Sequence, residues 1–516
     1  MENKNQLKIG VILSYINLFL GSIIPLIYTP IMLRLLGQAE YGLYSIANSV
    51  IGYLSLLSFG MGSTIVRYIT KYRVEKNKEK EEGIIGLFLI IYVFIALLVL
   101  VGGFFLSNNV NVIFHKGLTN EEISKIKILI YILSFNTAIS FPISVFSSIT
   151  IAHEKYLFRK LVDMLSTIAV PISNIIVLYI GFGSVGMSLV GTMLQFIMLP
   201  INAAYCLKKL NIKPNLKNIP FFMLKEIFYF SAFVFLGTVV DMLFWSTDKV
   251  ILGALVGTAA TAIYNVGGTF STMIQNLSSG ISSVLIPKIT GMVIKEENKK
   301  IWSDLFIKIG RLQFYIIALV LSGFIVFGQQ FVLFIAGKGY EESYVIALLT
   351  MIPLSIPLIQ NTGLNIVIAQ NKHQFRSIVY LIIAIINAIS TYLIVPYYGG
   401  IGAALCSCIA YFIGQGIIMN IYYYKITGLD IILFWKNIFK IAIIPIVMII
   451  ISFFVLQFYS INTIISFFIG VIIYTAIYIL CMWFFEMNEY EKELFLKPIL
   501  KIKNILWKIN NEKNDF

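Results

Sequence analysis

Charged residues are scarce in this sequence, at 12% of 516 residues, whereas soluble proteins carry about 25%. Hydrophobic residues make up 59% of the chain, and the mean hydropathy is +0.88. The charges occur in short clusters that are separated by long apolar stretches. This composition excludes an ordinary soluble protein and is typical of a polytopic helical membrane protein.

Cysteine and histidine are also rare, and this limits the chemistry that the chain can perform. The four cysteines lie in or beside apolar stretches, with no spacing typical of a disulfide framework, a zinc site or a redox pair. Three histidines, all in predicted loops, are too few for a histidine-based metal centre. Walker, HExxH and GxSxG motifs are absent. We therefore expect no metal, no cofactor and no enzymatic activity.

One apparent nucleotide-binding motif has a simpler interpretation. Gly181, Gly183 and Gly186 fit the spacing of a dinucleotide fingerprint, but they follow an apolar stretch and not a β-strand. No acidic residue follows before Glu226. We interpret this segment as a tight hairpin between two helices.

Apolar stretches of about 20 residues, the length that crosses a bilayer, predict fourteen membrane spans. The first is too long for a signal-peptide core, so we expect it to remain as a span. The predicted spans are 9–36, 41–66, 83–106, 126–150, 161–181, 184–206, 227–255, 260–286, 312–335, 343–369, 377–396, 401–423, 438–458 and 461–485.

The positions of the basic residues support this count and orient the chain. With a cytoplasmic N-terminus, all but six of the 39 lysines and arginines fall on the inner side. The six are Arg34, Lys116, Lys125, Lys127, Lys249 and Lys338. This bias follows the positive-inside rule, so we expect both termini in the cytoplasm. It also explains the net charge of +14 by topology and anionic lipid, and nucleic acid is not an expected partner.

The two halves of the chain repeat one another. The segment that starts at Leu35-Leu36-Gly37-Gln38 recurs 220 residues later as Leu255-Val256-Gly257-Thr258, and the match continues without a gap to Gly60 and Gly280. A second pair, Ala-x-x-Lys-x-x-Phe-Arg, ends at Arg159 and at Arg376. A third pairs Gly183 and Gly186 with Gly399 and Gly402. Equivalent segments lie six spans apart, which indicates a parallel repeat.

The predicted fold is therefore an all-α polytopic membrane protein with two pseudo-symmetric six-helix lobes and two extra C-terminal helices. The predicted N-lobe is 1–225, the C-lobe is 226–425, and the extra spans occupy 426–485. Residues 486–516 have apolar positions at helical spacing among lysines, which predicts a basic amphipathic helix on the inner membrane surface. A helix that docks a partner is the alternative.

The seventh span carries most of the charge that is predicted to lie within the membrane. Asp241, Trp245 and Asp248 have the i, i+4, i+7 spacing of one helical stripe, which we expect to face a cleft between the lobes. Either aspartate could carry a coupling proton or Na⁺, and Trp245 could stack on a sugar. The alternative for the aspartates is an ion pair that only fixes packing. Lys249 cannot face Asp248 along the helix, so its partner must come from another span or from substrate.

Other polar residues are further candidates for the cleft. Arg34 and Arg67 offer guanidinium groups that suit phosphate oxygens, although Arg67 also fits ordinary anchoring at the inner membrane surface. Asn48 is a polar residue in an apolar span. Gln360 and Asn361 lie near two prolines, which predicts a kinked or broken helix beside a cavity. Packing between helices is the alternative for the amides.

Several motifs resemble the polysaccharide-exporting branch of the MATE/MOP flippase superfamily. They are Pro30 to Tyr44, Arg67-Tyr68, Asp248-Lys249 with Gly253 and Tyr264, and the two Ala-x-x-Lys-x-x-Phe-Arg segments. The resemblance covers about residues 8–425, and the final pair of spans suits its fourteen-span, lipid-linked-oligosaccharide branch. It implies translocation of an undecaprenyl-pyrophosphate-linked oligosaccharide from the inner to the outer leaflet of the bacterial cytoplasmic membrane.

The resemblance also defines the expected partners and the alternatives. The partners would be the glycolipid, membrane lipid and a polysaccharide polymerase or assembly machinery. One alternative is a cation-coupled drug or metabolite antiporter of the same superfamily. Another is a membrane glycan polymerase, which would need a large outer loop with catalytic side chains. The longest predicted outer loop, about 107–125, offers only Glu121 and Glu122 as acidic residues.

Overall fold

The computed structural model describes residues 2–217, 219–283, 289, 291–292, 298–370, 372, 374–459, 461, 463–494 and 496. No β-strand occurs among these residues. The helices of the first half are α1 Glu2–Leu36, α2 Gln38–Ser55, α3 Met61–Val74, α4 Lys78–Asn108, α5 Val110–Phe114, α6 Asn120–Ala152, α7 Tyr156–Tyr179 and α8 Gly183–Ala204.

The second half is helical in the same way. Its described helices are α9 Leu224–Trp245, α10 Thr247–Leu255, α11 Thr258–Ser283, α12 Lys299–Ala336, α13 Glu342–Ile359, α14 Asn361–Ala369, α15 Gln374–Tyr411, α16 Met419–Tyr422, α17 Ile431–Phe458 and α18 Ile464–Cys481. The amphipathic tail predicted for 486–516 lies mostly outside the described residues, which end with 486–494 and 496.

Eleven helical segments of the described chain are long and apolar enough to cross a membrane. The number is twelve when the bent pair Phe221–Ala232 and Val234–Leu255 counts as one span. The chain is thus an all-α polytopic membrane protein, as predicted, whereas the count of fourteen stays a prediction. The predicted span at 260–286, which overlaps α11, is not among the eleven.

The longest of these segments, Gln374–Thr427, contains a break. It has 54 residues, which at 1.5 Å per residue would extend about 80 Å, far more than the ~30 Å core of a bilayer. Gly399 interrupts the helix with φ 53° and ψ −137°. The interruption falls between the predicted spans 377–396 and 401–423, so it supports their separation.

The backbone repeats where the sequence repeats. Gly183 and its predicted equivalent Gly399 both have positive φ angles, of 59° and 53°. Gly37 and its equivalent Gly257 also have positive φ angles, of 77° and 122°. Positive φ is strained for residues with a Cβ, so the same turn is built at equivalent places by the same residue type. The Gly181–Gly186 segment is a helix hairpin, as predicted, since α7 ends at Tyr179 and α8 begins at Gly183.

Contacts within the chain define two compact units. Unit 1 comprises Met1–Asn276, Ile335–Pro353 and Gln374–Gly414, and unit 2 comprises Leu277–Phe334, Leu354–His373 and Gln415–Phe516. Apolar side chains of α2, α3, α4 and α6 form the core of unit 1. Apolar side chains of α12, α17 and α18 form the core of unit 2. The domain limits predicted at 225, 425 and 485 stay a prediction.

Glycine 42 permits a close approach of two helices within unit 1. A Cβ at this position would lie 1.9 Å from the carbonyl oxygen of Thr258, at the start of α11. We predict that Gly42→Ala destabilises the protein by about 2 kcal/mol or more, because rigid backbone must move apart. Thermal unfolding in detergent measures this, with Gly62→Ala as the matched control. A Cβ at Gly62 meets nothing within 4 Å, and equal stability of the two variants would contradict the tight contact.

Unit 2 contains a buried ion pair that holds the segment after α18. Both carboxylate oxygens of Glu491 accept from Arg311 of α12, at 2.7 Å from Nε and 3.0 Å from Nη2. The same carboxylate accepts from the backbone N–H of Asn488 at 3.0 Å, and Asn488 Oδ1 accepts in return from the N–H of Glu491. Burial alone would raise the pKa of Glu491, but the hydrogen bonds from Arg311 and Asn488 lower it below its usual value.

This lowered pKa gives a pH-dependent prediction. Glu491→Gln should cost about 3–5 kcal/mol near neutral pH, because Arg311 keeps a buried charge without its partner. The contribution of the pair is complete above the unfolded pKa of about 4.3 and is lost as the pH falls through the lower folded value. Thermal unfolding of both proteins at pH 7 and at about pH 3 should therefore give a large difference that shrinks in acid. A difference that is unchanged in acid would contradict this assignment.

Candidate functional site

A small cavity with both polar and apolar lining residues lies among α9, α10, α11, α13 and α15 within unit 1. Its volume is about 80 Å³. It is lined by Phe244, Trp245, Lys249, Tyr264, Asn265, Gly268, Thr269, Thr272, Thr350, Ser407 and Tyr411. Aromatic rings, hydroxyls, one amide and one ammonium group thus surround the cavity, and no acidic side chain is among its described lining residues.

The boundary between α9 and α10 positions the residues of the seventh predicted span. α9 ends at Trp245 and α10 begins at Thr247. Trp245 and Lys249 are four residues apart, and both line the cavity. Asp248 does not line it, although Tyr264 and Ser407, which bind Asp248, do. Lys249 therefore contributes the one basic group of the described cavity lining, and the buried carboxylate of Asp248 lies next to the cavity.

Asp248 is fully buried and strongly hydrogen-bonded. Its Oδ2 accepts from the Tyr264 hydroxyl of α11 at 2.5 Å and from the Ser407 hydroxyl of α15 at 2.9 Å. Asn387 extends the network, since its Nδ2 donates to the Ser407 oxygen at 3.2 Å. Asn387 and Ser407 lie on opposite sides of the Gly399 turn, so the network ties both arms of α15 to α10 and α11.

The Thr391 hydroxyl also interacts with the Asp248 carboxylate. Asp248 Oδ1, Asn387 Oδ1 and Thr391 Oγ1 are buried oxygens of this network whose hydrogen bonds among the described residues are weak or missing. Buried polar atoms are normally satisfied, so each such oxygen calls for an explanation. Carboxylate, amide and hydroxyl oxygens suit a hard cation such as Na⁺. No cluster of three His, Cys, Asp or Glu residues occurs in the described part of the chain, so the donor set does not suit zinc.

Lys249 forms no ion pair with a carboxylate within the described ranges. The adjacent buried carboxylate of Asp248 attracts its ammonium group without forming a direct ion pair.

The shared stripe of Asp241, Trp245 and Asp248 stays a prediction, and the structure shows that the two aspartates differ in exposure. Asp241 is exposed, whereas Asp248 has no exposed surface. Asp241 lies close enough to Arg376 for electrostatic attraction, and Arg376 stacks over the Tyr380 ring at 4.4 Å. The boundary at Ser246 and the packing of α10 against α15 give the three side chains different surroundings. Asp248 is thus the buried carboxylate of this region, and the coupling role of each aspartate stays a prediction.

The other predicted residues of unit 1 lie elsewhere, and none of them lines the cavity. Arg34 is exposed in the last turn of α1. Arg67 is exposed and stacks over Phe230, 4.3 Å from the ring centre. Asn48 donates to the Tyr44 carbonyl of its own helix at 2.8 Å. Their predicted substrate contacts stay predictions.

Gln360 and Asn361 belong to unit 2. The predicted break in the helix is present, since α13 ends at Ile359 and α14 begins at Asn361. Gln360 is buried and donates to Asn420 Oδ1 at 2.8 Å, and Asn361 donates to Ser278 at 3.1 Å. These bonds between helices agree with the packing alternative for both amides.

Sequence reasoning did not select Tyr264, Ser407, Asn387 and Thr391 as site residues. A signal was available for two of them, because Asn387 and Thr391 have i, i+4 spacing in the otherwise apolar span 377–396. Asn265 both packs and lines the cavity, since its Nδ2 donates to the Tyr41 hydroxyl at 2.6 Å.

Comparisons with known proteins agree with this architecture. The model of a family described as polysaccharide biosynthesis protein matches residues 7–293, more than half of the chain. A Bacillus subtilis (strain 168) protein, described as an uncharacterized membrane protein EpsK, is 20% identical over 427 residues. The match covers 80% of this chain and 81% of that protein.

Solved transporter structures share the fold. The lipid II flippase MurJ, in an inward closed conformation, matches with a TM-score of 0.72 at 17% identity over 95% of this chain and 99% of its own. An inward-facing multidrug resistance MATE family transporter of the MOP superfamily has a TM-score of 0.64 at 15% identity over 80% and 96%. The chain therefore belongs to the polysaccharide biosynthesis protein family and has the fold of MOP-superfamily transporters, as the sequence resemblance indicated.

Proposed function

We propose that this protein is a flippase, not an enzyme, that moves an undecaprenyl-pyrophosphate-linked oligosaccharide from the inner to the outer leaflet of the cytoplasmic membrane. The observation that carries the proposal is the cavity with Lys249 and Trp245 in its wall and no acidic side chain among its described lining residues. An ammonium group attracts phosphate oxygens, and an indole ring offers a flat apolar face to a sugar. The hydroxyls and the amide of the wall would bind sugar hydroxyls.

The size of the cavity implies movement. At about 80 Å³ it is smaller than the 300–1,000 Å³ that is usual for ligand sites. The head group would therefore enter only after the helices around the cavity separate, as in alternating access. The lipid tail would remain in the bilayer during the transfer.

We further propose that Asp248 belongs to a coupling site for Na⁺ or a proton. Support comes from three buried oxygens, of Asp248, Asn387 and Thr391, whose hydrogen bonds among the described residues are weak or missing. A cation there would neutralise the buried carboxylate, which is costly to keep charged within a membrane. Because Tyr264 and Ser407 contact both Asp248 and the cavity, binding of the cation would alter the cavity wall.

The location and partners follow from this role. The protein would lie in the cytoplasmic membrane with both termini inside, in agreement with the distribution of its basic residues. A polysaccharide polymerase or assembly machinery would receive the flipped glycolipid. The drug antiporter is the second candidate, and the fold shared with a MATE transporter favours it. A cationic drug would, however, meet Lys249 in the cavity wall.

Deletion of the gene followed by lipid analysis tests the proposal. We expect glycan-linked lipid to accumulate in the inner leaflet and surface polysaccharide to decline, with both restored by the wild-type gene. Hypersensitivity to cationic drugs with unchanged glycolipid would instead support the antiporter. Accumulation of unpolymerised repeat units in the outer leaflet would support the polymerase.

A further inference from the structure

Two residues that the internal repeat makes equivalent each reach across to the other half of the chain. Gln38 begins α2 and Thr258 begins α11, 220 residues later. Gln38 Nε2 donates to the Gly339 carbonyl, between α12 and α13, at 2.9 Å. Thr258 Oγ1 donates to Glu122 Oε1, in the first turn of α6, at 2.8 Å. All four residues belong to unit 1.

The acceptor segments are equivalent as well. Thr119 and Gly339 also lie 220 residues apart. The N–H of Thr119 donates to a carboxylate oxygen of Glu122 at 2.9 Å, and the N–H of Gly339 donates to a carboxylate oxygen of Glu341 at 2.9 Å. A glutamate thus fixes the backbone of each acceptor turn. The two bonds across the halves therefore join equivalent segments of the repeat, although the accepting groups differ, since Glu122 corresponds to Glu342 and Gly339 to Thr119.

Close packing accompanies these bonds at the same end of unit 1. The backbone of Gly42 meets that of Thr258, since a Cβ at Gly42 would lie 1.9 Å from the Thr258 oxygen. A Cβ at Gly117 would lie 2.2 Å from the Gly253 oxygen. The backbones of the two halves therefore touch at both of these places. In the predicted topology this is the outer end of the helices.

We propose that the Gln38–Gly339 and Thr258–Glu122 hydrogen bonds form a paired latch that closes the outer end of the transport pathway. This inference rests on the proposed alternating access. The two bonds join segments that must separate for a head group to leave on the outer side, so they stabilise the outward-closed state alone. The Thr258–Glu122 bond is the stronger of the two because its acceptor is charged. A neutral hydrogen bond favours the closed over the open state by about fivefold, and a hydrogen bond to a charged group does so by about tenfold or more.

Reversible cross-linking tests the latch. A Glu122→Cys/Thr258→Cys variant, with the four native cysteines replaced, is reconstituted in proteoliposomes and bridged by a short bis-methanethiosulfonate reagent. We expect glycolipid flipping to fall at least tenfold and to recover when a reductant cleaves the bridge. The control is Asn108→Cys/Tyr131→Cys, which replaces a hydrogen-bonded pair within the first half and should leave flipping unchanged when bridged. Unchanged flipping in the bridged Glu122/Thr258 protein would overturn the latch.

A second measurement needs no substrate, so it separates failure of the latch from failure of the flippase proposal. Spin labels at the exposed positions Glu121 and Lys338 report the distance between the two halves in nanodiscs. The double variant Gln38→Ala/Thr258→Val should lower the ratio of closed to open protein by about fiftyfold. A longer distance between the two labels then becomes populated. The control Ser124→Ala removes a hydrogen bond within α6 and should leave the distance distribution unchanged. A double variant with the wild-type distance distribution would overturn the latch, whatever the protein transports.

Discussion

Replacing Asp248 with asparagine is expected to reduce cation-driven transport on the order of 10- to 100-fold, with less than about a twofold change in membrane abundance. Asparagine has the shape of aspartate but no charge, so it binds a cation more weakly. Its amide oxygen can still accept from Tyr264 or Ser407, which now bond to Asp248. Transport into proteoliposomes with and without an imposed Na⁺ or proton gradient measures the effect.

The control for this experiment is Asp163→Asn, the same change in α7. Asp163 is partly exposed and pairs with Arg159 of its own helix at 3.0 Å, so its loss should change transport little. Asp241→Asn is informative as well, because Asp241 is exposed beside Arg376 and should have a smaller effect than Asp248. Full gradient dependence in Asp248→Asn would rule out a coupling role for this carboxylate.

Replacing Lys249 with glutamine is expected to weaken binding of a pyrophosphate-linked lipid about tenfold or more, because a charge-assisted hydrogen bond to phosphate is lost. Lys249 is the one cation among the described residues that line the cavity. Binding of a fluorescent undecaprenyl-pyrophosphate glycolipid to the protein in nanodiscs measures the change.

Two matched variants make this result specific. Lys249→Arg keeps the charge and should retain most of the affinity. Lys116→Gln removes an exposed lysine of a predicted outer loop and should bind as the wild type does. If Lys249→Gln binds the glycolipid as tightly as Lys116→Gln does, the cavity is not the phosphate site. Tighter binding of cationic drugs by Lys249→Gln would support the antiporter instead.

Much of the fold could be predicted from the sequence because a bilayer imposes strict limits on length and polarity. Stretches of about 20 apolar residues and the positions of lysine and arginine locate the helices. The repeat adds detail, since glycines at equivalent positions predict equivalent turns, and Gly183 and Gly399 have φ angles of 59° and 53°. The number of spans is harder to predict, because α11 carries many polar residues and α15 continues as helix on both sides of Gly399.

The candidate site could be predicted only in part, for physical reasons. Helical spacing shows which residues share a face of a straight helix, but the helix is interrupted at Ser246, between Asp241 and Asp248. Spacing also does not show which other helix a face meets. The hydrogen-bond partners of Asp248 come from α11 and α15, and Ser407 lies more than a hundred residues after Asp248 in the sequence. Hydroxyl residues such as Ser407 are common in membrane helices, so a single one carries no signal.

The latch residues show a different limit. Gln38 and Thr258 differ in type, although the repeat aligns them, so comparison of side chains alone gives no reason to pair them. What they share is the position at the start of a helix directly after a glycine of positive φ. The common function becomes visible only when both hydrogen bonds across the halves are known.

The most direct test of the central claim is flipping of an undecaprenyl-pyrophosphate-linked oligosaccharide by the purified protein in proteoliposomes. Glycolipid in the inner leaflet becomes accessible to an added glycosidase only after it has been moved outward. We predict that the wild-type protein exposes this pool at least tenfold faster than protein-free vesicles, and that Lys249→Gln and bridged Glu122/Thr258 proteins do not. Exposure at the protein-free rate by folded, reconstituted wild-type protein, with or without an ion gradient, would contradict the account.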